Sequence, residues 1–114
     1  MGTFILLLEQ DDDVRKLLVT FLTREGFPVL CAISPREAVH ISAEYDKQIA
    51  VLITEELSSG DQNGLLPHLR AHNPGMRVLV TSPYVDEWPT DVVHLPKPFH
   101  LTALKQHLLA MFDD

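Results

Sequence analysis

A chain of 114 residues, 46% of them hydrophobic, is long enough for one domain with one buried core and too apolar for a disordered segment. Its formal charge of −7, with few and scattered Lys and Arg, speaks against a nucleic-acid surface, because phosphate neutralisation needs clustered cations. Cys31 is the only cysteine, so no internal disulfide forms; no signal peptide is seen and no run approaches the ~18 apolar residues of a membrane span, so a single cytoplasmic domain over 1–114 without a membrane partner is expected.

Residues 4–8 read as a first strand. Asp12 or Asp13 is placed to cap a helix running to about Glu25, whose Val14, Leu17, Leu18, Phe21 and Leu22 recur at spacings of three and four. Gly26 suits its C-terminus. Residues 27–32 form a second strand, at a sheet edge because of Pro28, and Cys31 within it is expected to be a buried, inert thiol. Ser34, Pro35 and Glu37 start a helix that runs to about Tyr45. Residues 49–54 are a third strand, 58–63 a loop with Asn63-Gly64 as a turn, and 65–72 a helix ended by Asn73, Pro74 and Gly75. Residues 77–81 and 92–95 are strands four and five. Pro83 and Pro89 leave at most one helical turn between them. Residues 100–112 form a last helix with Leu101, Leu104, Leu108 and Met111 on one face, and Asp113 and Asp114 oppose its dipole.

Short continuous apolar runs read as strands buried on both faces, and strands alternating with helices argue for a parallel sheet with helices on both sides. The C-terminal ends of such strands would gather carboxylates, a hydroxyl and Lys97 into one crevice, where open α/β sheets hold ligands. His68 and His72 share a helix face at i, i+4 spacing suited to a metal, but without a third ligand they read as a solvated pair.

Five pieces in this order carry a family resemblance: residues 5–15 with their acidic turn, Gly26-Phe27, residues 63–65, residues 77–82 with their hydroxyls, and Leu95, Pro96, Lys97, Pro98 and Phe99. Over about residues 3–112 the chain resembles the receiver domain of bacterial two-component response regulators. That resemblance implies a flavodoxin-like three-layer α/β/α sandwich with a five-stranded parallel sheet in the order 2-1-3-4-5. The fifteen residues from Ser82 to Lys97 are fewer than the family's, so helix 4 is expected to be shortened or absent, with Trp88 in a loop as a lid or a binding anchor.

The resemblance implies a phosphoryl-accepting aspartate after strand three, two acidic residues after strand one that hold Mg²⁺ with it, and a hydroxyl and a lysine that meet the phosphate. Here the phosphoacceptor position falls on Glu55 or, aligned from Gly64, on Glu56; no aspartate is present. The acidic pocket reads Glu9, Gln10 and Asp11, with an amide at the second position that is a weaker metal ligand. Glu9 and Glu55 therefore imply a weak or lost Mg²⁺ site, while Ser82 and Lys97 keep the phosphate side. His94 stands at the family's aromatic switch position, and a cis bond before Pro98 is implied. The expected role is an atypical receiver module of phosphorelay signalling. It would be no enzyme and would act through contacts with a sensor kinase or output protein, with a homodimer left open. The alternative is a phosphatase with an aspartate nucleophile, for which Asp11 and Asp13 offer an Asp-x-Asp two residues late.

Overall fold

The computed structural model describes residues 2–55, 65–83 and 91–112. Among them run β1 (Phe4–Leu8), α1 (Asp12–Arg24), β2 (Val29–Ala32), α2 (Pro35–Glu44), β3 (Ile49–Thr54), α3 (Leu65–His72), β4 (Arg77–Val80), β5 (Val92–His94) and α4 (Leu101–Phe112). The strands form one parallel sheet in the order β2-β1-β3-β4-β5, as the resemblance implies. The expected loop over 58–63, Glu56, the turn at Asn63, the segment with Trp88 and Pro89, and Asp113 and Asp114 lie outside the described residues.

Strand alternation divides the core in two. Ile5, Leu7, Val51, Ile53 and Leu79 point to the layer of α1 and α4, where they meet Leu18, Leu22, Leu104 and Leu108. Leu6, Leu8, Leu52, Val78 and Val80 point to the layer of α2 and α3, where they meet Ala38, Leu65 and Leu69. The central strands β1, β3 and β4 are therefore apolar at every position but Thr54 and Arg77, as suits a parallel sheet covered on both faces. No helix among the described residues is long and apolar enough to cross a membrane.

Two local expectations need correction. Asp11, not Asp12 or Asp13, is the N-cap of α1: its Oδ1 accepts from the backbone N–H of Asp13 (2.9 Å) and Val14 (3.0 Å). Asp12 and Asp13 fall in the first turn, where their charge suits the helix dipole. Cys31 is exposed rather than buried. Its strand is at the sheet edge, with β1 on one side only, so alternation alone does not cover it.

The end of α1 follows from Gly26. Its φ of +89° closes a Schellman turn, in which Phe27 N–H donates to Leu22 O (3.0 Å) and Gly26 N–H to Thr23 O (3.1 Å). A Cβ there would meet nothing within 4 Å, so only the backbone resists substitution. Gly26→Ala is expected to cost about 1–2 kcal/mol, the strain of an L-residue in the left-handed region, read as a lower urea midpoint at unchanged slope.

The other end of the sheet is pinned by a buried amide. Asn73 is 2% exposed and follows α3 directly. Its Oδ1 accepts from Ile49 N–H (2.9 Å), and its Nδ2 donates to Ser42 Oγ (2.8 Å) and Leu69 O (3.3 Å). One side chain thereby fixes the start of β3 against α2 and α3.

Candidate functional site

The register sets up the site before any side chain is considered. Leu8 pairs with Thr54 and Thr54 with Val80, so Glu9, Glu55 and Thr81 leave three adjacent strands at the same level. Alternation puts them on the face of Leu7, Ile53 and Leu79, the face covered by α1 and α4. Lys97 comes from the turn between β5 and α4, next to the cis Lys97–Pro98 peptide.

Glu9 is 5% exposed, and both carboxylate oxygens have partners. Oε2 accepts from the backbone N–H of Asp11 (3.1 Å), and Oε1 lies 3.5 Å from Lys97 Nζ. The Lys97 ammonium also lies 3.4 Å from Glu55 Oε2. Two carboxylates thus share this one ammonium. The Lys97 and Glu55 side chains keep 25% and 41% of their surface, so water screens the Glu55 pair more than the Glu9 pair.

Two hydroxyl residues follow β4, and the register puts Thr81 level with Glu9 and Glu55. Ser82 is 4% and Thr81 2% exposed. His94 Nε2 lies 3.0 Å from the Ser82 carbonyl oxygen; a carbonyl only accepts, so that nitrogen carries the hydrogen. His94 therefore ties the end of β5 to the backbone just past β4.

The structure thus brings together Glu9, Glu55 and Lys97 and links His94 to Ser82. Gln10 is exposed, and Asp11 is committed to capping α1. Glu56 lies outside the described residues. Among the described residues no three His, Cys, Asp or Glu side chains converge as a metal site.

Arg15 went unremarked in the sequence. Its Nη1 donates to the Glu9 carbonyl (3.1 Å) and its Nη2 pairs with Asp12. The i, i+3 spacing of Asp12 and Arg15 was the available signal. That hydrogen bond, with the guanidinium charge, holds the Asp12 carboxyl below its ordinary value, and Asp12 raises Arg15 in turn. The stabilisation from this exposed pair is present above the unfolded pKa of Asp12 and is lost as pH falls through the lowered folded value.

A search of protein-family profiles finds no match to the chain. The chain is similar to Regulatory protein AtoC of Escherichia coli (strain K12), 28% identical over 82 residues, which cover 72% of this chain and 18% of that protein. The chain therefore spans less than a fifth of the curated relative it matches. Among solved structures it resembles the receiver domain from Hybrid Histidine Kinase CckA, with 29% identity, a TM-score of 0.80 and coverage of 95% and 97% of the two chains. A response regulator receiver domain protein from Clostridium thermocellum superposes with a TM-score of 0.81 at 21% identity, covering 99% and 95%. Fold, strand-end site and these likenesses point the same way: the chain has the flavodoxin-like fold of response regulator receiver domains and is similar to them.

Proposed function

We propose that this receiver domain has Glu55 at its phosphoacceptor-equivalent position and signals through protein contacts rather than through a phosphoryl switch. The observation that carries this reading is the 3.4 Å approach of Glu55 Oε2 to Lys97 Nζ. A glutamate is one methylene longer than the family's aspartate. Its carboxylate thereby stands against the cation that would otherwise meet an incoming phosphate. Displacing a reacting oxygen by ~1 Å can cost on the order of 100-fold in rate.

The donors do not fit Mg²⁺. The cation needs oxygen ligands in near-ideal octahedral geometry. Asp11 is engaged as a helix cap, Gln10 is exposed, and Glu9 and Glu55 already share one ammonium. The partners of this reading are a sensor kinase or an output protein. The phosphatase alternative is weakened by the same geometry, because Asp11 and Asp13 sit in the cap and first turn of α1 rather than at the end of β1. A phosphatase turnover abolished by Asp11→Ala would restore it.

The test is an amide NMR titration with Mg²⁺, followed by beryllofluoride, a mimic of a phosphoryl group on a carboxylate. No response is expected at millimolar Mg²⁺. Shifts centred on Glu9, Glu55, Ser82 and Lys97 that saturate only with both ligands would overturn the proposal. A second prediction separates a signalling contact from a relic. Glu55→Gln keeps the shape and removes the charge, and it is expected to move the amide resonances of Ser82, His94 and Lys97. A change confined to the immediate neighbours of residue 55 in sequence would mark the ion pair as inert.

A further inference from the structure

Of the two carboxylates that meet Lys97, Glu9 is the buried one. Its Oε2 accepts from Asp11 N–H (3.1 Å) and its Oε1 faces Lys97 Nζ at 3.5 Å, so the turn that leads out of β1 decides where that charge stands. The backbone of Glu9 is held at both of its polar groups. Its N–H donates to Ala32 O (3.1 Å), and its carbonyl accepts from Arg15 Nη1 (3.1 Å). The first bond comes from the end of β2; the second comes from a side chain in α1.

Arg15 is itself fixed. Its backbone N–H donates to Asp11 O (2.9 Å), and Asp11 caps the helix. Its Nη2 pairs with Asp12. The guanidinium fork thereby reaches two acceptors at once, the Glu9 carbonyl and the Asp12 carboxylate. The Arg15 side chain keeps only 16% of its surface, against 75% for Asp12, so the bond to the Glu9 carbonyl is largely shielded from water. A charged donor makes the stronger kind of hydrogen bond. The pair with Asp12 alone, at i, i+3 spacing, would contribute only a few tenths of a kcal/mol to α1, roughly 0.2–0.5 kcal/mol.

We infer that Arg15 is a positioning residue of the crevice: by holding the Glu9 carbonyl it sets the Glu9 carboxylate against Lys97, and so sets how that ammonium is divided between Glu9 and Glu55. Its effect on Lys97 passes through Glu9. The inference does not rest on the reading of Glu55 given above, because Glu55 meets Lys97 on its own at 3.4 Å. It holds whether or not the crevice takes a phosphoryl group. A brace for α1 and a positioning residue differ in what they move: a brace changes stability alone, whereas a positioning residue also changes the surroundings of Lys97 Nζ.

The experiment reads the side-chain nitrogen of Lys97 and the side-chain carboxyl carbon of Glu9 by NMR at neutral pH in the isotope-labelled chain. Glu9→Gln supplies the reference, the displacement of the Lys97 Nζ resonance when the Glu9 charge is removed. Arg15→Met keeps an aliphatic stem and loses both donors. It is expected to move Lys97 Nζ by at least half of the reference displacement and to move the Glu9 carboxyl carbon, while the amides of α2, α3 and α4 stay in place. Arg15→Lys keeps one donor for the Glu9 carbonyl and is expected to return most of the displacement; it also serves as the second variant should Arg15→Met fold poorly. A lower urea midpoint for Arg15→Met with Lys97 Nζ and the Glu9 carboxyl carbon unmoved would reduce Arg15 to a brace for α1 and overturn the inference. Arg15→Lys no closer to the unaltered chain than Arg15→Met would overturn it too, since neither donor nor charge would then be what holds Glu9. So would an unmoved Lys97 Nζ in Glu9→Gln. None of these outcomes bears on Glu55 and Mg²⁺, which the titration above tests separately.

Discussion

Replacing Asn73 by leucine is expected to lower the unfolding free energy by about 3 kcal/mol, the sum of two buried polar groups left without partners at ~1–3 kcal/mol each. The two groups are the Ile49 N–H and the Ser42 hydroxyl; Ile49 is 2% and Ser42 0% exposed, so water does not reach them in the folded state. Leucine has about the right volume but can neither accept nor donate. A loss of that size is a large share of the ~5–15 kcal/mol that holds a domain of this kind together. The measurement is urea unfolding, with a lower midpoint at unchanged slope. The amide explanation makes a further demand. Adding Ser42→Ala to Asn73→Leu removes one of the stranded groups, so the double variant should be less destabilised than the sum of the singles. Simple additivity, or a cost for Asn73→Leu below ~1 kcal/mol, would mean that the knot is not what pins β3.

How far the sequence revealed this fold depends on which physical signal each element carried. β3 and α3 were legible to the residue, because an unbroken apolar run and a clean stop at Asn73-Pro74-Gly75 leave little freedom. β2 begins two residues later than expected, and β4 and β5 end one residue earlier, although Thr81 N–H still donates to Thr54 O and Leu95 N–H to Val80 O past the strand ends. The cap of α1 was misplaced within a run of three aspartates. Which of them caps is set by the path of the chain leaving β1, and composition does not record that. Cys31 misled for a related reason: an apolar neighbourhood in sequence says nothing of an uncovered sheet edge. At the site, strand-end logic placed Glu9 and Glu55 near Lys97, and the extra methylene of Glu55 foretold its reach. What the sequence withheld was allocation. Asp11 could be a cap or a crevice ligand, and only the backbone geometry assigns it to α1. Asn73, read merely as a helix stop, gave no sign of joining three elements, because its partners are 24 and 31 residues away in the chain.

The allocation of acidic groups leads to the prediction with the largest functional effect. The double substitution Gln10→Asp and Glu55→Asp is expected to speed the uptake of a phosphoryl group from acetyl phosphate, with Mg²⁺ supplied. Each change answers one defect. Shortening Glu55 by a methylene draws its carboxylate back from Lys97, now 3.4 Å away, and frees the ammonium for an incoming phosphate. An aspartate at position 10 adds an anion beside Glu9 that does not depend on Asp11, which stays with the N–H groups of Asp13 and Val14. Position 10 is exposed and Glu55 half-exposed, so neither change strands a buried charge, and the fold is expected to survive. Intact-protein mass spectrometry after incubation with acetyl phosphate reads the outcome as one added phosphoryl group, removable by hydroxylamine as an acyl phosphate should be. The gain over the unaltered chain is expected to reach at least ~100-fold in rate, the scale on which ångström misplacement acts. Glu55→Asp alone should fall well short, because the position beside Glu9 still carries an amide. If the unaltered chain is labelled as fast as the double variant, the methylene of Glu55 is not what disables the site. If a correctly folded double variant stays unlabelled, the block lies elsewhere in the crevice, and the His94 tie to the Ser82 carbonyl is then the contact to break.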